Sequence, residues 1–297
     1  MKKCMAFVLG GGGARGAFQV GALKALLEAG YQPDLMVGTS VGAINAAFLA
    51  LRGANLESIQ QLIEVWREAS HANLMPSNYL SLTIRKLVGR SADYTGHRMR
   101  DFCIHHGLAP DMCFKEINGM RLILVAADLN SGQPVLYGTH PDDSILEGVL
   151  ASTALPPWIP PLEKDGRLLV DGGAVSVLPI EAAIKAGATE IIALDLNDTR
   201  AYLQSANKLV NLFGNMVATA NHRQAELELA LADALGLPVK HIRLLGVDPI
   251  AIWDFELTET RISRGYELTR EIIETWRSAP KSRSKWWQRR ERHNQRR

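Results

Sequence analysis

Cysteine is scarce in this chain. The three that occur in 297 residues, Cys4, Cys103 and Cys113, are an odd and scattered set without a CxxC pair. That excludes a disulfide framework and a structural zinc site, and no histidine cluster is spaced as metal ligands. Long apolar runs are missing as well. After Lys2 and Lys3, the stretch Met5-Ala6-Phe7-Val8-Leu9 runs straight into glycines, which predicts a strand rather than a secretion signal. Nothing approaches the ~18 apolar residues that suggest a membrane-spanning helix. A cytoplasmic chain is therefore expected. Internal repeats of roughly 20 to 50 residues are absent too, which excludes a solenoid or propeller.

What is present is apolar bulk and an uneven distribution of charge. At 47% hydrophobic residues the chain can bury a sizeable core without staples. The net charge of +2 divides unequally: Lys281–Arg297 carry eight Lys/Arg and one Glu, a net of +7, which leaves −5 on the preceding 280 residues. The expected organisation is one folded domain over residues 1–278 and a basic, flexible tail over 279–297 that contains Trp286 and Trp287. Such a tail suits an anionic membrane surface or nucleic acid, or is simply a solvated end; membrane contact is the partner carried forward, and nucleic acid is not expected.

Short β-branched runs alternate with helical periodicity, the pattern of a parallel sheet flanked by helices. Strands are expected at Met5–Leu9, Asp34–Gly38, Arg121–Ala127, Arg167–Val170, Glu190–Asp195 and Lys240–Leu245. Helices are expected at Gly16–Ala29, Ser40–Leu51, Leu56–Ala69, Ser144–Ala151, Ile180–Ala186 and Thr258–Trp276. Leu203–Leu235 reads as a long helix weakened at Gly214, with its apolar positions in the core. Between residues 71 and 113 the periodicity fades, as in a mobile cap or a further pair of packed helices.

Three segments carry chemistry. Gly10-Gly11-Gly12-Gly13-Ala14-Arg15-Gly16 follows the first strand and opens a helix, so its backbone N–H groups suit an anion. Two anions fit: a dinucleotide pyrophosphate, since Gly11, Gly13 and Gly16 satisfy G-x-G-x-x-G, or the oxyanion of acyl transfer. A dinucleotide site also needs an acidic residue closing the second strand, where this chain has Gly38-Thr39-Ser40. Arg15 either fixes the loop by pairing with a carboxylate or makes a surface salt bridge.

Gly38-Thr39-Ser40-Val41-Gly42 has the strand–turn–helix setting of a nucleophile elbow; its plain alternative is a helix-capping serine. In Arg167-Leu168-Leu169-Val170-Asp171-Gly172-Gly173 an apolar strand ends in Asp171, either a catalytic carboxylate at a strand's carboxyl end or an Asp-Gly turn between strands.

Taken in order, Gly11–Gly16, Gly38–Gly42, Ala151-Ser152-Thr153-Ala154-Leu155-Pro156 and Asp171-Gly172-Gly173 resemble the motif blocks of the patatin-like phospholipases. The likeness runs from Met5 to about Asp195 and includes Ala126–Gly132. It implies a three-layer α/β/α fold with a mainly parallel central sheet. It also implies a serine-nucleophile lipid acyl hydrolase with Ser40 as nucleophile, Asp171 as general base, and Gly11, Gly12, Gly13 and Arg15 around the oxyanion. No metal or organic cofactor is implied, and the expected substrate is a lipid or other acyl ester.

The alternatives are an esterase or thioesterase of small acyl esters, or a triad with a histidine base that pairs Asp195 or Asp171 with His222 or His241. A nucleotide-binding protein and a non-catalytic lipid-binding protein come from other classes.

Overall fold

The computed structural model describes residues 3–72, 74, 93–156, 159–198, 200 and 208–278. The tail over 279–297 and residues 73 and 75–92 of the proposed cap lie outside the described residues.

Eight strands form one sheet: β1 (Met5–Leu9), β2 (Leu35–Thr39), β3 (Arg121–Asp128), β4 (Gln133–Tyr137), β5 (Leu162–Lys164), β6 (Arg167–Asp171), β7 (Glu190–Asp195) and β8 (Val239–Arg243). Their order is β5-β6-β3-β2-β1-β7-β8, with β4 added against β3. The pairings β3–β2, β2–β1, β1–β7 and β7–β8 are parallel, whereas β4 and β6 run antiparallel to β3. All six strands expected from the sequence form, each within about two residues of its expected ends.

Side-chain alternation explains the layers. On β1, Phe7 and Leu9 enter one core while Ala6 and Val8 enter the other, and β2, β3 and β7 divide likewise. A sheet apolar on both faces must be covered on both. On one face lie α1 (Gly16–Glu28), α2 (Val41–Arg52), α3 (Leu56–His71), α4 (Asp93–His105), α5 (Ile145–Ser152) and, packed along α1, α8 (Thr258–Ser278). The other face takes α6 (Ile180–Lys185) and α7 (Lys208–Ala234). The three-layer α/β/α expectation holds. No helix among the described residues is long and apolar enough to cross a membrane.

The structure adds two strands to those expected and corrects the reading of one helix. Strand β4 begins Gln133-Pro134, and β5 has three residues, two of them the charged Glu163 and Lys164. Proline and charge on short edge strands discourage further pairing, and they erase the apolar alternation that reveals a strand. Helix α7 passes through Gly214 unbroken, and its apolar positions are not mainly core: Ala225 and Ala232 are buried, but Leu212, Met216, Val217 and Leu227 face solvent. Of the 71–113 segment, α4 packs on the core through Met99 and Cys103, followed by the buried Leu108.

Candidate active site

Register brings the two chemical strand ends together. Residues Leu124 and Val125 of β3 pair with Gly38 and Thr39 of β2 on one edge and with Tyr137 and Leu136 of β4 on the other. Ala126 and Ala127 pair with Val135 and Pro134 of β4, and with Asp171 and Val170 of β6. Because β4 takes the same edge throughout, β2 and β6 share the opposite edge and meet end to end. Thr39 lies across from Val125 and Asp171 from Ala126, so the serine turn and the aspartate abut although 131 positions separate Ser40 from Asp171.

The turn at Ser40 is tight and strained. Ser40 has φ 57° and ψ −126°, and with Asp165 it is one of two non-glycine residues at positive φ among the described residues. Its flanking glycines follow from contact. A Cβ on Gly38 would sit 2.4 Å from the Gly42 carbonyl oxygen, and one on Gly42 would sit 2.2 Å from that of Leu9. Those distances leave no room for a side chain, so G-x-S-x-G is required by backbone approach.

Ser40 precedes α2, yet its side chain makes no capping bond. Its hydroxyl instead lies beside the Asp171 carboxylate, close enough to pull that group's pKa down. The capping alternative is therefore not what forms. The Ser40 N–H donates to Ser152 Oγ at 2.9 Å, and the Ser152 hydroxyl donates to the Val125 carbonyl at 2.6 Å, which ties the strained turn to β3.

Asp171 is 6% exposed. Its Oδ1 accepts the Gly173 N–H at 2.8 Å, and a 3₁₀ turn over Gly172–Ala174 follows rather than a strand-to-strand hairpin. Burial raises the carboxyl pKa to about 6, against the pull of the Ser40 hydroxyl and the Gly173 N–H. A carboxylate with so few donors is a stronger base than an exposed one.

The glycine loop stands beside this pair: a Cβ built on Gly11 would lie 3.3 Å from that of Ser40. Its N–H groups divide by use. Gly10 donates to Leu194 O, Gly11 to Val177 O and Ala14 to Ile252 O. Among the described residues no acceptor takes the N–H of Gly12 or Gly13. Two open donors suit one oxyanion better than a pyrophosphate, and no acidic residue closes β2 to bind a ribose. Arg15 lies within the site rather than on a surface pair. Its Nε donates to the Gly12 carbonyl at 3.1 Å, and burial lowers its pKa against the opposing pull of Asp198 and Asp195.

A buried amide network fixes the loop from below. Gln19 donates to Gly10 O at 2.8 Å, Asn45 donates to Gly16 O and Gln19 Oε1, and Trp66 donates to Asn45 Oδ1. Gln19, Asn45 and Trp66 had no role in the sequence reading. The signal available was an amide on each of two apolar helices.

The sequence profile of the family described as Patatin-like phospholipase matches residues 7–184, more than half of the chain. The chain belongs to the patatin-like phospholipase family. Human patatin-like phospholipase domain-containing protein 6 is 33% identical over 195 residues, 65% of this chain and 13% of that protein. The neuropathy target esterase sws of Drosophila melanogaster is 31% identical over 192 residues, 64% of this chain and 12% of its own length. The chain thus spans about an eighth of such relatives. Among solved structures, human GIVD cytosolic phospholipase A2 superposes with a TM-score of 0.53 at 13% identity, covering 92% of this chain and 58% of that one. VipD from Legionella pneumophila gives 0.52 at 14% identity, covering 92% and 67%. At such identities the likeness is one of fold.

The histidine alternatives have other partners in this patatin-like chain. His241 is on β8, three strands from β2 and therefore about 14 Å across the sheet. There its Nε2 meets Asp195 Oδ2 at 2.9 Å. His222 lies against Asn197 and Glu226. Neither histidine has a contact with Ser40 or Asp171.

Proposed function

We propose that the chain is a lipid acyl hydrolase that works through a Ser40–Asp171 dyad without a histidine. The observation that carries this reading is the buried Asp171 carboxylate beside the Ser40 hydroxyl, next to a loop with two uncommitted N–H groups. Membership of a phospholipase family supports the substrate class.

In the acylation step Asp171 takes the Ser40 proton as the hydroxyl oxygen attacks the ester carbonyl, and the negative charge moves to the carbonyl oxygen. The N–H groups of Gly12 and Gly13 hold that oxyanion, Gly11 shapes the approach, and the Arg15 cation stiffens the loop through the Gly12 carbonyl. When the tetrahedral adduct collapses, the protonated Asp171 gives its proton to the leaving alcohol. Water, deprotonated by the same carboxylate, then attacks the acyl-serine, and Ser40 is released as the proton returns to it.

The +7 tail over Lys281–Arg297 supports peripheral contact with an anionic membrane from the cytoplasmic side. The test of the activity is a fluorophosphonate label located by mass mapping, run beside a panel of phospholipid, lysophospholipid and short esters. The expected result is one adduct, on Ser40, with turnover of acyl-lipid esters. An adduct elsewhere, or ester turnover by pure Ser40→Ala protein, contradicts it.

A further inference from the structure

The segment that follows Asp171 touches every part of the proposed site. Val175 N–H and Ser176 N–H both donate to the Gly172 carbonyl, which closes the turn after the aspartate. The Ser176 carbonyl accepts the Thr39 hydroxyl at 2.9 Å, one residue before the nucleophile. The Val177 carbonyl accepts the Gly11 N–H at 2.8 Å. Base, nucleophile and oxyanion loop are thus referred to one stretch of backbone, residues 172–177.

That stretch is held from the outer helical layer. Glu228 of α7, 8% exposed, accepts the Ser176 hydroxyl on Oε1 and the Glu181 N–H on Oε2, the latter at 2.8 Å. It therefore fixes Ser176 and caps the start of α6 at once. Gln224, one turn earlier on α7, donates to the Ala174 carbonyl at 3.0 Å. The other charge beside Glu228 is Glu181, which is paired with Lys185 on α6. A buried acid that accepts from two donors is a rigid strut, and one of those donors is Ser176, whose own carbonyl accepts the Thr39 hydroxyl.

We propose that Glu228 is a positioning residue for hydrolysis: through Ser176 it sets the place of Thr39, and hence of Ser40, against Asp171 and the glycine loop. This rests on the Ser40–Asp171 reading. The dyad and the open N–H groups are aligned only while the 172–177 backbone keeps its place, and without Glu228 neither Ser176 nor the end of α6 has its acceptor. Misplacement of the nucleophile by about 1 Å is enough to lower turnover by on the order of 10².

The test compares steady-state hydrolysis of a short p-nitrophenyl ester and melting temperature for the wild type and four variants: Glu228→Ala, Glu228→Gln, Ser176→Ala and Ala232→Gly. The last lies on the buried face of the same helix, one turn beyond Glu228, and makes no side-chain hydrogen bond. Expected are a 10- to 100-fold fall in kcat for Glu228→Ala with KM within about twofold. Partial recovery is expected in Glu228→Gln, which keeps one acceptor oxygen. Ser176→Ala should resemble Glu228→Ala, and the double variant should be no worse than either alone. Ala232→Gly should lower the melting temperature and leave kcat unchanged.

The inference is overturned if kcat stays within twofold of wild type in both Glu228→Gln and Ser176→Ala, or if the Glu228 and Ser176 effects multiply. These two variants carry the test if Glu228→Ala does not fold. Absence of any wild-type turnover would instead remove the Ser40–Asp171 reading on which the proposal stands, an outcome distinct from an active enzyme indifferent to Glu228.

Discussion

Strands β6 and β7 both end in a buried aspartate at the same edge of the sheet, yet the two carboxylates have different surroundings. Asp195 accepts the Asn197 N–H on Oδ1 and faces the His241 ring on Oδ2, so both oxygens have firm partners and the group ties β7 to β8. Asp171 has one firm hydrogen bond, from the Gly173 N–H, with the Ser40 hydroxyl beside it, and burial holds its pKa at about 6. A satisfied carboxylate is a strut, while an underpaired one is ready to take a proton. The Asp–His pair resembles two-thirds of a catalytic triad but stands three strands from the serine, whereas the pair without histidine lies at the proposed site.

The sharpest break of this comparison is on activity. Asp171→Asn and Ser40→Ala should each lower kcat by ~10⁴ or more, as expected when either half of a nucleophile–base unit is removed. Steady-state turnover of a short ester checks it.

The next effect concerns stability and has the opposite sign. A carboxyl held at about 6 in the fold and near 3.8 when exposed binds its proton more tightly folded than unfolded. Its favourable neutral form is fully present below about pH 4, and that stability is lost as pH rises through 6. The buried charge therefore costs up to about 3 kcal/mol at pH 8. Asp171→Asn should raise stability at pH 8 by roughly 1–3 kcal/mol and lose that advantage toward pH 4, as read by denaturant melts at both pH values.

A smaller effect lies in the strained turn. Ser40→Gly removes the Cβ from a backbone at φ 57°, so it should be about 1–2 kcal/mol more stable than Ser40→Ala, although both should lose activity. Equal stabilities would show that the turn holds no strain.

The smallest effect on activity belongs to the strut. His241→Ala should leave turnover within about threefold while lowering stability by roughly 1–3 kcal/mol, because Asp195 loses a partner in the interior. A loss comparable to that of Asp171→Asn would reverse the roles of the two aspartates.

Much of this architecture is legible in the sequence because backbone demands leave residue signatures. Gly38 and Gly42 are glycine because their neighbours' carbonyl oxygens are too close for a Cβ, and the apolar runs of β1, β2 and β7 reflect burial on both faces. Edge strands β4 and β5 escaped because a proline and charges are what keep an edge from pairing. The meeting of β2 and β6 on one edge of β3 has no local signature, since it depends on register between distant strands. Ser152 was visible within a motif block, but its bond to the Ser40 N–H follows only from α5 ending beneath the turn. Glu228 was hidden for a similar reason: on a helix whose apolar positions largely face solvent, a buried acid looks like any other surface charge.

The most direct test of the dyad is the pH dependence of the acylation burst of Ser40, measured in the wild type and in the His222→Ala/His241→Ala double variant. An apparent pKa near 6 resembles histidine, so the wild-type profile alone does not discriminate. The Ser40–Asp171 account predicts a rate that rises with pH through about 6 in both proteins, about tenfold lower at pH 5 than on the plateau. Loss of the burst, or of its titration near pH 6, in the double variant would contradict it and place the base on a histidine.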